Sequence, residues 1–218
     1  MNNIEALKKC PLFKGVPEYS ITAVMGCLRA RERHYGKNEY VYHTGDPIKE
    51  IGIVLSGRLQ IIKEDAWGSV TIVAELTEGM LFGEAFVLGG VGRIPLSVFA
   101  PEKSDVLFID KDRTVTPCPS ACGFHFDISA NLIRILAEKN IFLTGRVEHL
   151  SKRSIKEKVL SYLSSVSSRT GSRTFFIPFD RRELADYLAV DRSALSSVLG
   201  KLKSEGIIDF NKNKFTLK

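Results

Sequence analysis

The apolar residues of this chain change their spacing twice, and each change narrows what the segment can become. In residues 4–28 the spacing is helical. Ile4, Leu7 and Cys10 precede the turn-rich Pro11-Leu12-Phe13-Lys14-Gly15-Val16-Pro17, and Ile21, Val24, Met25 and Leu28 follow it. From about Arg31 the period becomes two. Tyr40-Val41-Tyr42-His43 runs into Thr44-Gly45-Asp46-Pro47, a turn signal. Residues 52–62 form two β-rich runs split by Ser56-Gly57, and residues 71–74, 79–84, 96–99 and 106–109 add further short runs. Short strands divided by regular glycine turns predict a closed or nearly closed antiparallel barrel.

In residues 128–150 there is no proline and one glycine, and the spacing alternates between three and four: Ile133, Leu136, Asn140, Leu143, Val147, Leu150. That is a coiled-coil seam with one polar position, Asn140. One step earlier stands Ser129, so the seam is short. It can be covered by a second copy of the chain, giving a homodimer. It can equally be covered by the barrel, which Ile135, Ile141 and Phe142 on adjacent faces would suit; one long helix can serve both.

Residues 180–205 hold the most specific local pattern. Asp180 can cap a helix while Glu183 reaches back, a capping box. Leu184, Ala185 and Leu188 share one face. Ala189, Val190 and Asp191 form a turn, and Asp191 is a second N-cap. Leu195, Val198, Leu199 and Leu202 then make a buried stripe opposite Arg192, Ser193, Ser196, Ser197 and Lys201. This is the layout of a helix-turn-helix whose second helix suits a major groove, although a helical hairpin inside a core has the same apolar pattern. Charge favours the first reading. Of the net charge of +6, residues 151–218 hold 14 Lys and Arg against 7 Asp and Glu, leaving 17 against 18 elsewhere. A polyanion partner for that third follows. Residues 155–163 read as a helix, 164–172 as a Ser/Arg-rich loop and 174–178 as a short strand. A hairpin over residues 206–217, turning at 211–214, completes a winged helix-turn-helix with Lys212 at the tip.

Other classes are disfavoured. No uncharged apolar run of about 18 residues predicts a membrane span, and the N-terminus lacks a secretory pattern. The 4 cysteines without an export signal point to a reducing cytoplasm. Neither a Ser/His/Asp arrangement nor a metal-hydrolase spacing is present, so no enzyme is expected. Gly89-Gly90-Val91-Gly92 lacks the Gly-Lys-Ser/Thr of a phosphate loop. His34, His43 and His149 lie among residues that explain them as surface or packing groups, and Cys10 and Cys27 sit on apolar helical faces.

Five motifs occur in order: Pro11-Leu12-Phe13-x-Gly15, Tyr42-x-x-Gly45-Asp46, Ile53-x-x-Ser56-Gly57-x-Leu59, Gly79-x-x-Phe82-Gly83-Glu84 and the C-terminal helix-turn-helix. Together they resemble the Crp/Fnr family of bacterial transcription regulators across essentially the whole chain. The resemblance implies an α+β fold in three parts: an effector-sensing, cyclic-nucleotide-binding-like β-roll over 1–127, a dimerisation helix over 128–150 and a winged helix-turn-helix over 151–218. It implies double-stranded DNA, a second copy of the chain, RNA polymerase and a small effector as partners. Cyclic-nucleotide-binding members follow Gly-Glu with an Arg-Ser or Arg-Thr pair, in which the Arg neutralises the cyclic phosphate. Gly83 and Glu84 are present, but the pair falls on Ile94 and Pro95; Arg93 is one place early, which in a strand turns it to the other face. The base would meet Lys139 and Asn140. Gly83, Glu84, Arg93, Lys139 and Asn140 are thus the candidate effector pocket, with a signal other than cyclic AMP expected and no cofactor identified; the alternative is a genuine cyclic-nucleotide receptor in which a loop bulge brings Arg93 to the phosphate. Cys118, Cys122 and His125 form a candidate metal or redox group, the alternative being reduced bystander thiols. On the resemblance, recognition starts at Arg192, with Arg192, Ser193, Ser196 and Ser197 facing bases and Arg181, Arg182, Lys201 and Lys212 facing phosphates. Family members often have Glu and Arg where Ser193 and Ser197 stand here, so an altered operator is expected.

Overall fold

A computed structural model describes residues 4–65, 67–68, 70–116 and 123–218. The chain divides into two units, Met1–Leu136 and Ala137–Lys218.

The first unit begins with α1 (Ile4–Lys9), a 3-10 turn (Pro11–Phe13) and α2 (Glu18–Cys27). Strands β1 (Arg31–Tyr35), β2 (Glu39–Tyr42), β3 (Glu50–Ser56), β4 (Leu59–Glu64), β5 (Val70–Leu76) and β6 (Leu81–Phe82) follow. Then come α3 (Glu84–Leu88), β7 (Ser97–Ala100), β8 (Ser104–Asp110), α4 (Lys111–Val115) and α5 (Phe124–Leu150). The strands form two four-stranded antiparallel sheets, ordered β1-β8-β3-β6 and β2-β7-β4-β5. This two-sheet antiparallel roll is the nearly closed arrangement that the turn spacing predicted.

Two cores explain the strand sequences. One is built from both sheets and contains Val54, Val106 and Phe108 with Leu59, Val98 and Ala100. The other joins Ile51, Ile53, Leu107 and Ile109 to Leu12, Leu28, Ile128 and Leu132 of the helical segments. β3 and β8 are buried on both faces, which is why they read as continuous apolar runs without alternation. Glycine is required at two places here. A Cβ on Gly52 would run into the Phe82 ring, and Gly57 combines a φ of 75° with close approach to the Lys103 carbonyl.

The first turns of α5 belong to this unit. Ile128, Leu132 and Ile135 enter the helix-side core, and Leu136 packs against it. Asn131 Nδ2 donates to the carbonyls of Leu12 at 3.0 Å and Lys14 at 2.7 Å, pinning the helix to the N-terminal segment.

The second unit contains the rest of α5, then α6 (Ile155–Thr170), β9 (Thr174–Phe176), α7 (Arg181–Leu188), α8 (Arg192–Ser204), β10 (Ile208–Asn211) and β11 (Lys214–Leu217). Its sheet has the order β10-β11-β9. α6 carries a full capping box between Ser154 and Glu157 and ends at left-handed Gly171, φ 65°. The loop expected over 164–172 is therefore helical as far as Thr170. Its serines lie on the outer side, while Tyr162, Leu163 and Val166 continue one buried stripe. Leu184, Leu188, Leu195, Leu199 and Leu202 meet in the same core at 0% exposure, each contributing roughly 1.5–3 kcal/mol by burial. No helix among the described residues is long and apolar enough to cross a membrane.

Candidate nucleic-acid interface

Two aspartates define where the helix-turn-helix begins and turns. Asp180 Oδ1 accepts from the N–H groups of Arg182 at 2.7 Å and Glu183 at 2.8 Å, while Glu183 Oε2 accepts from Asp180 N at 2.7 Å. Ala189 takes a left-handed φ of 49° and ends α7. Asp191 Oδ1 accepts from the N–H groups of Ser193 at 2.8 Å and Ala194 at 3.0 Å, and so starts α8. These contacts hold both carboxyls below the ordinary carboxylate range: for Asp180 chiefly the Glu183 N–H, for Asp191 chiefly the Ser193 hydroxyl. Both caps and the turn lie where the sequence placed them.

With its leucines buried, α8 exposes Arg192, Ser193, Ser196, Ser197 and Lys201. Two serine protons are engaged within the helix: Ser193 Oγ donates to Asp191 Oδ1, and Ser196 Oγ donates to the Arg192 carbonyl at 2.9 Å. Arg182 on α7 is exposed as well. Lys212 occupies the tip of the β10–β11 hairpin with a left-handed φ of 52°, between the paired residues Asn211 and Lys214. Arg181 differs from the other basic candidates. It is half-buried, with its guanidinium 4.6 Å from the centre of the Phe210 ring and 5.2 Å from that of Phe215. Sequence reasoning did not single out Lys203, which bridges to Asp209 at 2.7 Å and donates to the Phe210 carbonyl at 3.1 Å, tying α8 to the hairpin. Its position seven residues before Phe210 carries no local signal of that contact.

The seam residues on α5 divide. Ile133, Leu143 and Val147 are 67%, 56% and 65% exposed, Asn140 is exposed, and Leu136 and Leu150 are half-buried. Ile141 and Phe142, which would have suited a helix covered by the barrel, are exposed as well; Phe142 reaches the Tyr187 ring at 6.0 Å. His149 is buried against Tyr162 and Tyr187, with Nδ1 2.9 Å from Ser161 Oγ.

Among the effector candidates, Gly83 has a left-handed φ of 82° and begins α3, and Glu84 is buried. Ile94, standing where the family pattern has arginine, is 2% exposed in the core shared by the two sheets. Arg93 is exposed and donates to the Gly45 carbonyl at 2.6 Å, a contact to the β2–β3 loop beside the antiparallel bridge between Pro47 and Arg93. Lys139 and Asn140 are exposed on the part of α5 that belongs to the second unit. Of the metal or redox group, Cys118 and Cys122 lie outside the described residues. His125 is buried, with Nε2 2.9 Å from the Arg113 carbonyl oxygen, so that nitrogen carries the proton in this contact.

Comparison with known proteins matches this geometry. The family model of the cyclic nucleotide-binding domain matches residues 32–115, and that of the Crp-like helix-turn-helix domain matches residues 157–218. The chain is 24% identical over 202 residues to the cyclic AMP receptor protein of Thermus thermophilus, covering 93% of this chain and 89% of the relative. It is 19% identical over 184 residues to electron transport regulator A of Shewanella oneidensis, covering 82% and 71%. The solved structure of the c-di-GMP responsive global regulator CLP of Xanthomonas campestris shares the fold. Its TM-score is 0.52 at 18% identity, covering 91% of this chain and 98% of that one.

Proposed function

The chain belongs to the Crp/Fnr family of DNA-binding transcription regulators with an effector-sensing domain, and on that premise we propose that it acts as a homodimer, reads its operator through Arg192, and answers to a signal other than cyclic AMP bound in the family manner. The observation that carries this reading is the outward face of α8, a row of small polar and basic groups on a helix fixed from behind by buried leucines. Such a helix enters a major groove without steric obstruction, and Arg192 at its start is the group able to grip a guanine through two hydrogen bonds. Arg182, Lys201 and Lys212 supply phosphate contacts that set register. Arg181, seated over two phenyl rings, is better suited to orienting the hairpin that presents Lys212 than to meeting phosphate freely.

Pairing is supported by the exposed line of Ile133, Leu143 and Val147 on α5, with residues 128–150 as the dimerisation helix between a sensing part (1–127) and a DNA-binding part (151–218). Two copies then present two recognition helices to half-sites about one helical turn, ~34 Å, apart. RNA polymerase is the further partner an activator of this kind would engage. A non-cyclic-AMP signal is supported by Ile94, which brings neither charge nor an accessible position to where a phosphate would need both. Binding-site selection with the full-length protein is the direct test, with light scattering for mass and calorimetry with cyclic AMP. The expected results are a palindromic operator unlike that of the cyclic-AMP and oxygen-sensing members, a dimer, and no heat from cyclic AMP. Recovery of the standard family palindrome, a monomer on DNA, or stoichiometric cyclic AMP binding would each overturn the corresponding part.

A further inference from the structure

We propose that the outer face of the β1–β8 ladder is a binding site for a divalent transition-metal ion, with Glu32, His34 and Asp105 as its protein ligands. The alternation of β1 sorts its charges by face. Arg31 and Arg33 turn to one side, where Glu50 receives them at 2.6 and 3.5 Å and the Arg33 guanidinium lies 4.9 Å from the centre of the Phe108 ring. Glu32 and His34 share the other side. The antiparallel register sets Asp105 directly opposite His34. One ligand atom from each of Glu32, His34 and Asp105 lies within 4.8 Å of the other two.

The carboxylate of Asp105 is already oriented. Its Oδ1 is 2.6 Å from His34 Nδ1, and its Oδ2 accepts from Ser56 Oγ at 2.7 Å. An outer hydroxyl fixing a ligating carboxylate is the usual support of a metal site. The face carries two carboxylates, and the arginines of the same strand are engaged with Glu50 on the opposite side; Lys103 is the cation that acts on both His34 and Asp105. An imidazole with two carboxylates selects zinc, cobalt, nickel or manganese over calcium and magnesium, which prefer all-oxygen sets. With ligand bonds of about 2.0–2.2 Å the ligand atoms around one ion stand about 3–3.5 Å apart, so the metal takes the place of the 2.6 Å His34–Asp105 hydrogen bond while Glu32 moves toward the pair. His34 is 69% exposed at its side chain, so rotamer changes suffice while the strands stay fixed. Three protein ligands on an open face leave the remaining positions to water.

The site is tested by titrating chelator-treated full-length protein with zinc in a calorimeter and with cobalt(II) in a spectrophotometer. The expected result is one zinc per chain. Its affinity should fall at least tenfold in His34→Ala, Asp105→Asn and Glu32→Gln, and less in Ser56→Ala. The cobalt spectrum should show visible bands without the near-ultraviolet charge transfer of a thiolate ligand. Glu32 and His34 are exposed, so their variants are read in proteins whose metal-free melting midpoints match the parent's. Absence of zinc binding, binding indifferent to His34→Ala and Glu32→Gln, or binding that disappears in Cys118→Ser or Cys122→Ser with a thiolate band in cobalt would overturn the proposal.

Discussion

The outward face of α8 and the segment around Ile94 occupy corresponding roles in the family, one toward DNA and one toward an effector phosphate, and they are built in opposite ways. On α8 every large apolar residue is withdrawn, leaving Arg192, Ser193, Ser196, Ser197 and Lys201 at the surface. Around Ile94 the apolar residue itself fills the position, and the neighbouring Arg93 engages the Gly45 carbonyl. The helix thus keeps a polar, basic surface even though Ser193 and Ser197 replace the Glu and Arg frequent in the family, whereas the position of Ile94 is taken into the core.

The harshest way to break this contrast is to return the family's charge to the sensor. Ile94→Arg should destabilise the first unit by about 3–5 kcal/mol, the cost of an unpaired buried charge, and should not create cyclic AMP binding. Urea denaturation and calorimetry check both, and a folded, nucleotide-binding variant would show that the pocket survives behind Ile94. The matching change on the other side is Leu199→Ala. A residue with 0% exposure loses about 2–5 kcal/mol when cut to alanine, so operator binding should disappear while hydrogen exchange in β3 and β8 stays as in the parent. Within the surface itself, Arg192→Ala should lose about 1–3 kcal/mol of discrimination at one base pair of each half-site. Lys201→Ala should weaken all sequences alike and reduce the salt slope by about 1. Exchange of those two phenotypes in a competition assay would reverse the roles assigned to them.

The smallest effect concerns pH. Burial holds the His149 imidazole below its ordinary value. The folded second unit therefore takes up this proton at lower pH than the unfolded chain, whose imidazole titrates near 6.5. Stability from this group is full above about pH 6.5 and falls as the pH drops from there toward the folded value. Urea midpoints between about pH 7.5 and 5.5 should decline, and less steeply in His149→Gln.

What could be read in advance follows how far apart the interacting residues lie in the chain. Asp180, Glu183 and Asp191 cap through neighbours two or three positions away, so both helices and the turn were legible in the sequence. The same holds for the left-handed glycine turns of the roll. The extension of α6 through Ser164, Ser165, Ser167 and Ser168 was not, because serine composition argued for a loop while Val166, buried against distant residues, decided for a helix. Arg181 reads in sequence like the phosphate-facing Arg182, because nothing within its own helix announces Phe210 and Phe215. β1 was the least legible strand. Four of its five residues are exposed, and its meaning emerges only when Glu50 and Asp105 arrive on its two faces.

The serine protons on α8 also bear on which bases the helix can prefer. Ser193 gives its hydrogen to Asp191 and Ser196 gives its own to the Arg192 carbonyl, so in the proposed DNA complex both hydroxyls would turn lone pairs toward the groove. Held that way, they would accept from the amino groups of cytosine and adenine and disfavour the carbonyl acceptors of guanine and thymine. Arg192 prefers the opposite edge. The helix thereby presents a donor at its first residue and acceptors at Ser193 and Ser196, an ordered polarity that a half-site sequence can match or violate.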